Sequence, residues 1–134
     1  MAGIVFLRTT DLARITHFYT ETVGMESWLS QPGIEILRHE NLLVGFQEQP
    51  EADTDALLTF FYASRREVDV MHERLAPVAE AGPRENPRYR IYNFFARDPD
   101  GRRIEFQHFL HRLAGIDRVA FTGAQAGESD PERG

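Results

Sequence analysis

The stretch Tyr89 to Phe109, YRIYNFFARDPDGRRIEFQHF, leaves little choice of local fold. Two apolar runs, Ile91 to Ala96 and Ile104 to Phe109, flank Asp98-Pro99-Asp100-Gly101. Proline presets the second turn position, and glycine takes the positive φ that closes the bend, so the stretch is a β-hairpin. A type I turn closed by a left-handed glycine puts Pro99, Asp100 and Gly101 in the loop and pairs Asp98 with Arg102. Phe95 then faces Glu105. Alternation places Arg103, Glu105 and Gln107 on one face with Asn93, Phe95 and Arg97, and Ile104 and Phe106 on the other with Phe94 and Ala96. The second face is core. The first carries an aromatic ring, an amide and a carboxylate aimed at something other than packing. A two-residue loop would put Phe94 there in place of Phe95.

From the start of the chain, Gly3 to Thr9 is β-branched and aromatic and reads as a strand, with Ile4, Phe6 and Arg8 on one face. Thr10 or Asp11 can cap a helix over Leu12 to Val23, whose apolar stripe is Leu12, Ile15, Phe18, Tyr19 and Val23 and whose stop is Gly24. Met25 to Ser30 reads as a short strand carrying Trp28, followed by a turn at Gln31-Pro32-Gly33. Ile34 to Leu37 and Leu42 to Gln47 form a second hairpin about Arg38-His39-Glu40-Asn41, with asparagine at the left-handed site. Residues 50–55 are an acidic linker.

The same order then returns. Ala56 to Tyr62 reads as a strand and Glu67 to Val78 as a helix started near Ser64; Ala81 to Arg88, with two prolines, reads as a loop into the last hairpin. Laying Asn41 on Gly101 sets Val44 on Ile104, Gly45 on Glu105, Phe46 on Phe106 and Gln47 on Gln107, so an internal repeat is the economical reading. Each helix covers one side of its sheet. The other side must curve onto its partner or enclose a cavity. Ala124 to Gly134 is small and acidic and reads as a disordered tail.

With 134 residues the chain can bury the core of one domain, and its net charge of -6 without a basic patch argues against nucleic acid. There is no cysteine, hence no disulfide, thiolate metal site or cysteine nucleophile. No apolar run approaches a membrane span and no signal peptide opens the chain, so the expectation is a cytoplasmic protein with no membrane partner.

Asp11-Leu12, Phe18-Tyr19, Val23-Gly24, Asp98-Pro99-Asp100-Gly101 and Ile104-Glu105-Phe106 together resemble the vicinal oxygen chelate superfamily of glyoxalase I, bleomycin-resistance proteins and extradiol dioxygenases. The resemblance implies an α+β fold of two βαβββ modules forming a curved, open barrel-like mixed sheet with a central cleft, commonly in a homodimer. A single domain would span 1–112, with module one at 1–49, the linker at 50–55 and module two at 56–112, and a tail at 113–134. Metal-dependent members carry ligands in the first and last strands of the modules. Those positions fall here on Ile4, Gly45, Leu57 and Glu105, of which only Glu105 can ligate. About three protein donors are ordinarily needed for a catalytic metal, so no cofactor is expected. A divalent metal held by Glu105 and nonstandard ligands, in a lyase, isomerase or dioxygenase, is the alternative.

If the modules close as the resemblance implies, Phe6, Arg8, Glu35, Gln47, Phe61, Asn93, Phe95, Arg103 and Gln107 line the cleft beside Ile4, Leu57, Thr59 and Glu105. That lining suits a small, partly aromatic or carboxylate-bearing ligand, or a filled core between the sheets. Glu105 is then a carboxylate paired with Arg8 or Arg103, a ligand anchor, or a general acid or base with Glu35 as its only visible partner. Arg8 and Arg103 point to an anionic ligand or merely neutralise Glu35 and Glu105. Trp28 is a pocket lid, an interface residue or core. His17, His39 and His72 read as solvated, and His108 and His111 as an exposed pair at a strand end.

Overall fold

The computed structural model describes residues 2–113, so the expected tail, but for Leu113, lies outside the described residues. The last hairpin folds as its turn dictates. Strand β7 (Ile91–Arg97) pairs with β8 (Arg103–Phe109), setting Phe95 opposite Glu105 and Arg97 opposite Arg103. The Asp98 N–H donates to the Arg102 carbonyl at 2.9 Å, the Gly101 N–H to the Asp98 carbonyl at 2.8 Å, and Gly101 takes φ 87°. Strand β5 (Leu58–Phe61) joins β8 in parallel, and the three-residue β6 (Arg84–Asn86) joins β7 in antiparallel, giving the order β5-β8-β7-β6. Sequence reasoning expected only a loop at β6, because Pro83 and Pro87 flank it; on a sheet edge those prolines remove no needed donor.

The first module repeats the plan. Strands β1 (Val5–Thr9), β2 (Glu26–Gln31), β3 (Ile34–His39) and β4 (Leu42–Glu48) make a mixed sheet in the order β1-β4-β3-β2, with β1 and β4 parallel. The β3–β4 turn is tighter than expected, and Glu40, at φ 53°, takes the left-handed site foreseen for Asn41.

Helix α1 (Leu12–His17) is capped by the Asp11 side chain, which accepts from the Arg14 N–H at 3.1 Å. The chain does not stay α-helical to Val23. Residues Phe18–Val23 wind as a π-helix; Thr20 Oγ1 donates to the Thr16 carbonyl at 2.8 Å, and the Gly24 and Met25 N–H groups both reach the Tyr19 carbonyl. A hydroxyl bonding back onto the preceding turn competes with the helical ladder, which favours such a local rewinding. Helix α2 (Arg65–Leu75) is capped by Ser64, whose Oγ accepts from the Glu67 N–H at 3.2 Å and donates to the Glu67 carboxylate at 3.0 Å, and ends in a 3-10 turn at Ala76–Val78.

Both helices lie on the core sides of their sheets. Ile15, Tyr19 and Val23 meet Leu37, Val44 and Phe46 in the first module, Val68, Met71 and Leu75 meet Phe60, Phe94 and Phe106 in the second, and the two sets form one cluster. Phe60, Phe94 and Phe106 stack with ring centroids 5.1 and 5.3 Å apart. His39, expected in solvent, is instead half-buried where the modules meet, edge-on to Phe60 and Tyr62 at 5.3 and 5.9 Å. His72 likewise packs edge-on against Phe94 at 5.0 Å. With its helix side covered, each sheet leaves the opposite side open, and the two sheets do not close into a barrel.

Candidate functional site

The open face of the second sheet carries two rows of side chains set by strand register. Thr59, Glu105 and Phe95 form one row across β5, β8 and β7; Phe61, Gln107, Asn93 and Arg84 form the next, reaching β6. Parity decides which residues look outward: Phe60, Phe94 and Phe106 alternate with them and take the core.

Glu105 sits at the centre and is only 8% exposed. Thr59 Oγ1 donates to its Oε1 at 2.9 Å and Asn93 Nδ2 to its Oε2 at 2.7 Å. A buried carboxylate needs such donors, and here both are neutral. The ion pair with Arg8 or Arg103 that sequence reasoning entertained does not form. Arg103 lays its guanidinium over the Phe95 ring, 3.7 Å from the centroid, and grips Glu80 with two hydrogen bonds of 3.0 and 2.9 Å. Arg97 Nε adds a third to Glu80 at 3.2 Å. The Arg103 hydrogen bonds hold the Glu80 carboxyl below its usual value, with burial opposing and the charges of Arg103 and Arg97 adding to them, and Glu80 in turn raises Arg103. Arg8 is also spoken for, with Asp53 at 3.5 Å.

Glu80 stands in the segment that skirts the edge of β7; its N–H donates to the Phe95 carbonyl at 2.8 Å. Between that segment and the open face lies a cavity of about 380 Å³, lined among others by Arg84, Asn93, Phe95 and Arg103. Apolar walls with a few convergent polar groups are what small-molecule sites share.

On the first sheet, Phe6, Arg8, Gly45 and Gln47 share the open face with Ile34 and Ile36. Glu35 does not. It pairs with Phe46, which is core, so its carboxylate lies on the helix side, bonded to the Ser27 hydroxyl and to that of Ser30 at 2.7 Å, by a groove along α1. The parity of β3 thus removes Glu35 from the cleft and leaves Glu105 without the carboxylate partner that acid–base work would need. Trp28 stands at a bulge in β2, 51% exposed, and is not core.

Gly45 is the first-module counterpart of Glu105, and its emptiness is used. A Cβ there would lie 2.5 Å from a Phe6 ring carbon, so the ring rests directly on the backbone where a ligating side chain would start. Ile4 and Leu57, at the remaining family ligand positions, offer no donor. Among the described residues no three His, Cys, Asp or Glu side chains gather in a way that could hold a metal ion. The donor set does not fit the metal centre of the family pattern.

Two features escaped sequence reasoning. Arg84 was hidden in the supposed loop. Arg102, which sequence reasoning only paired with Asp98, is fully buried: Nη1 meets Asp98 Oδ2 at 2.7 Å, Nη2 donates to the carbonyls of Arg8 at 2.9 Å and Asp53 at 2.6 Å, and Tyr19 Oη donates to Asp98 Oδ2 at 2.6 Å. Burial, then the charge of Asp98, pushes the Tyr19 hydroxyl well above its usual value, with Arg102 opposing. Only the Asp98-x-x-x-Arg102 spacing in an otherwise ordinary turn signals this cluster.

These paired βαβββ units have the fold of the glyoxalase/bleomycin-resistance/dioxygenase proteins of the vicinal oxygen chelate superfamily, as the sequence motifs implied. No family model matches the sequence, and no curated protein matches it. Among solved structures, an integron cassette protein from the mobile metagenome of the Halifax Harbour sewage outfall aligns with TM-score 0.70 and 21% identity over 81% of this chain and 98% of its own. A glyoxalase/bleomycin resistance protein/dioxygenase from Nocardioides aligns with TM-score 0.68 and 17% identity over 87% and 89%. A lactoylglutathione lyase from Agrobacterium tumefaciens aligns with TM-score 0.66 and 19% identity over 81% and 92%. At such identities the likeness is one of fold. No helix among the described residues is long and apolar enough to cross a membrane.

Proposed function

We propose that the protein binds a small, partly aromatic or carboxylate-bearing molecule on the open face of its second sheet, using side chains rather than the metal centre of the family pattern. One observation carries this reading. Glu105, the sole family ligand position that retains a donor, has both oxygens committed to Thr59 and Asn93, while its counterpart Gly45 is covered by the Phe6 ring. Phe61 and Phe95 supply apolar area, Asn93, Arg103 and Gln107 supply polar contacts, and Glu105 braces Asn93 from beneath.

Both modules, 1–49 and 56–112, act as one domain in this reading, and a homodimer completes the site. Phe6 and Leu57 are each 50% exposed, and apolar side chains left open beside a binding face are better covered by a second copy than by water. Arg8, Gln47 and Trp28 then reach the ligand or the interface from the first sheet.

The test is elemental analysis of protein dialysed after exposure to manganese, nickel, zinc and iron, followed by a thermal-shift screen of small aromatic acids and neutral aromatics. No retained ion together with stabilising hits is the expected result. About one tightly held ion per chain with metal-dependent turnover would overturn the proposal.

A further inference from the structure

We infer that Arg84 is the anion anchor of the cavity beside β6 and that the site selects planar aromatic carboxylates. The inference rests on the ligand-binding reading above and names which member of that class fits.

Every carboxylate lining this cavity already faces an arginine: Glu85 pairs with Arg65, and Glu80 with both Arg97 and Arg103. Arg84 lines the same cavity, and among the described residues it has no ion pair or side-chain hydrogen bond. Among the described residues the walls therefore hold one guanidinium without an ion-pair partner, and its donors are open to an anionic ligand.

Register fixes where that guanidinium works. Arg84 stands opposite Asn93 in the β6–β7 ladder, so the two share the open face, and Asn93 is held in place by Glu105. Along the sheet the Arg103 guanidinium sits over Phe95, 3.7 Å from the ring centroid, with its side chain 45% exposed, which leaves its outer side open to a ring. A guanidinium already stacked and charge-balanced by Glu80 offers a planar surface more than a net charge. The chemistry divides cleanly: Arg84 takes the carboxylate in its donor fork, and the stacked pair takes the ring.

The test compares benzoate, benzyl alcohol and benzylammonium, which share a ring and differ in charge, by calorimetry and by amide chemical-shift titration of the full chain. Benzoate is expected to bind about tenfold more tightly than benzyl alcohol, the worth of one charge-assisted contact, and benzylammonium more weakly than either. Arg84→Gln, at an exposed edge position, should bring benzoate down to the level of benzyl alcohol without altering benzyl alcohol itself, and Arg84→Lys should keep part of the preference. Equal binding of all three, or an unchanged benzoate affinity in Arg84→Gln, overturns the role of Arg84 and leaves the cleft as a neutral aromatic site. No binding of any of the three overturns both the role of Arg84 and the ligand-binding reading.

Discussion

Tyr19 and Asp98, 79 residues apart, share a buried hydrogen bond of 2.6 Å that ties the first helical segment to the turn of the last hairpin. Asp98 Oδ2 receives the Tyr19 hydroxyl and Arg102 Nη1 together, while Oδ1 takes the N–H groups of Asp100 and Arg102. The turn that begins as a local signal is also the joint between modules.

Removing members of this joint should therefore cost different amounts. Tyr19→Phe deletes one donor and leaves Asp98 paired, so a loss of about 1.5–3 kcal/mol is expected in urea denaturation. Arg102→Leu leaves the Asp98 carboxylate and two carbonyls buried without their partner, and about 3–5 kcal/mol is expected. Equal losses from the two variants would show that the arginine is not the keystone.

His39 predicts a pH dependence. Burial lowers its imidazole from the ordinary 6.5, Glu40 acting in the opposite direction. The unfolded chain therefore takes up this proton at a higher pH than the folded one does. Stability is full above 6.5, falls as pH drops through that value, and levels off below the folded value. Melting temperatures taken between about pH 7.5 and 5.5 should fall in the native protein and fall less in His39→Phe, which keeps an aromatic contact with Phe60 and Tyr62.

Gly45 predicts a coupling. Alanine there would drive its Cβ into the Phe6 ring, which is half exposed and can swing aside. A loss of about 1 kcal/mol is expected for Gly45→Ala, most of it absent in a Phe6→Leu background. Additive losses in the double-mutant cycle would mean that the glycine serves its backbone and not the ring.

What the sequence made legible follows from how local each signal is. Proline and glycine around Asp98 pin the last hairpin, and with it the parity that puts Asn93, Phe95, Arg103, Glu105 and Gln107 on one face. The same logic misplaced Glu35, because Ile34 and Ile36 on either side look like core although they face the open side; only the pairing of Glu35 with Phe46 settles its direction. Arg102 was illegible for another reason. Its partners come from Asp53 and Arg8, 49 and 94 residues distant, and nothing along the chain announces that their carbonyls need a donor. Arg84 vanished between prolines that a central strand could not tolerate and an edge strand can.

Arg102 also bears on how the protein comes apart. Halves built on one plan, each with its own helix and sheet, are free in principle to melt one after the other. A single guanidinium that binds the second half's turn, the carbonyl of Asp53 and the first half's Arg8 carbonyl leaves neither half able to open without taking a hydrogen-bond partner from the other, which couples the unfolding of the two.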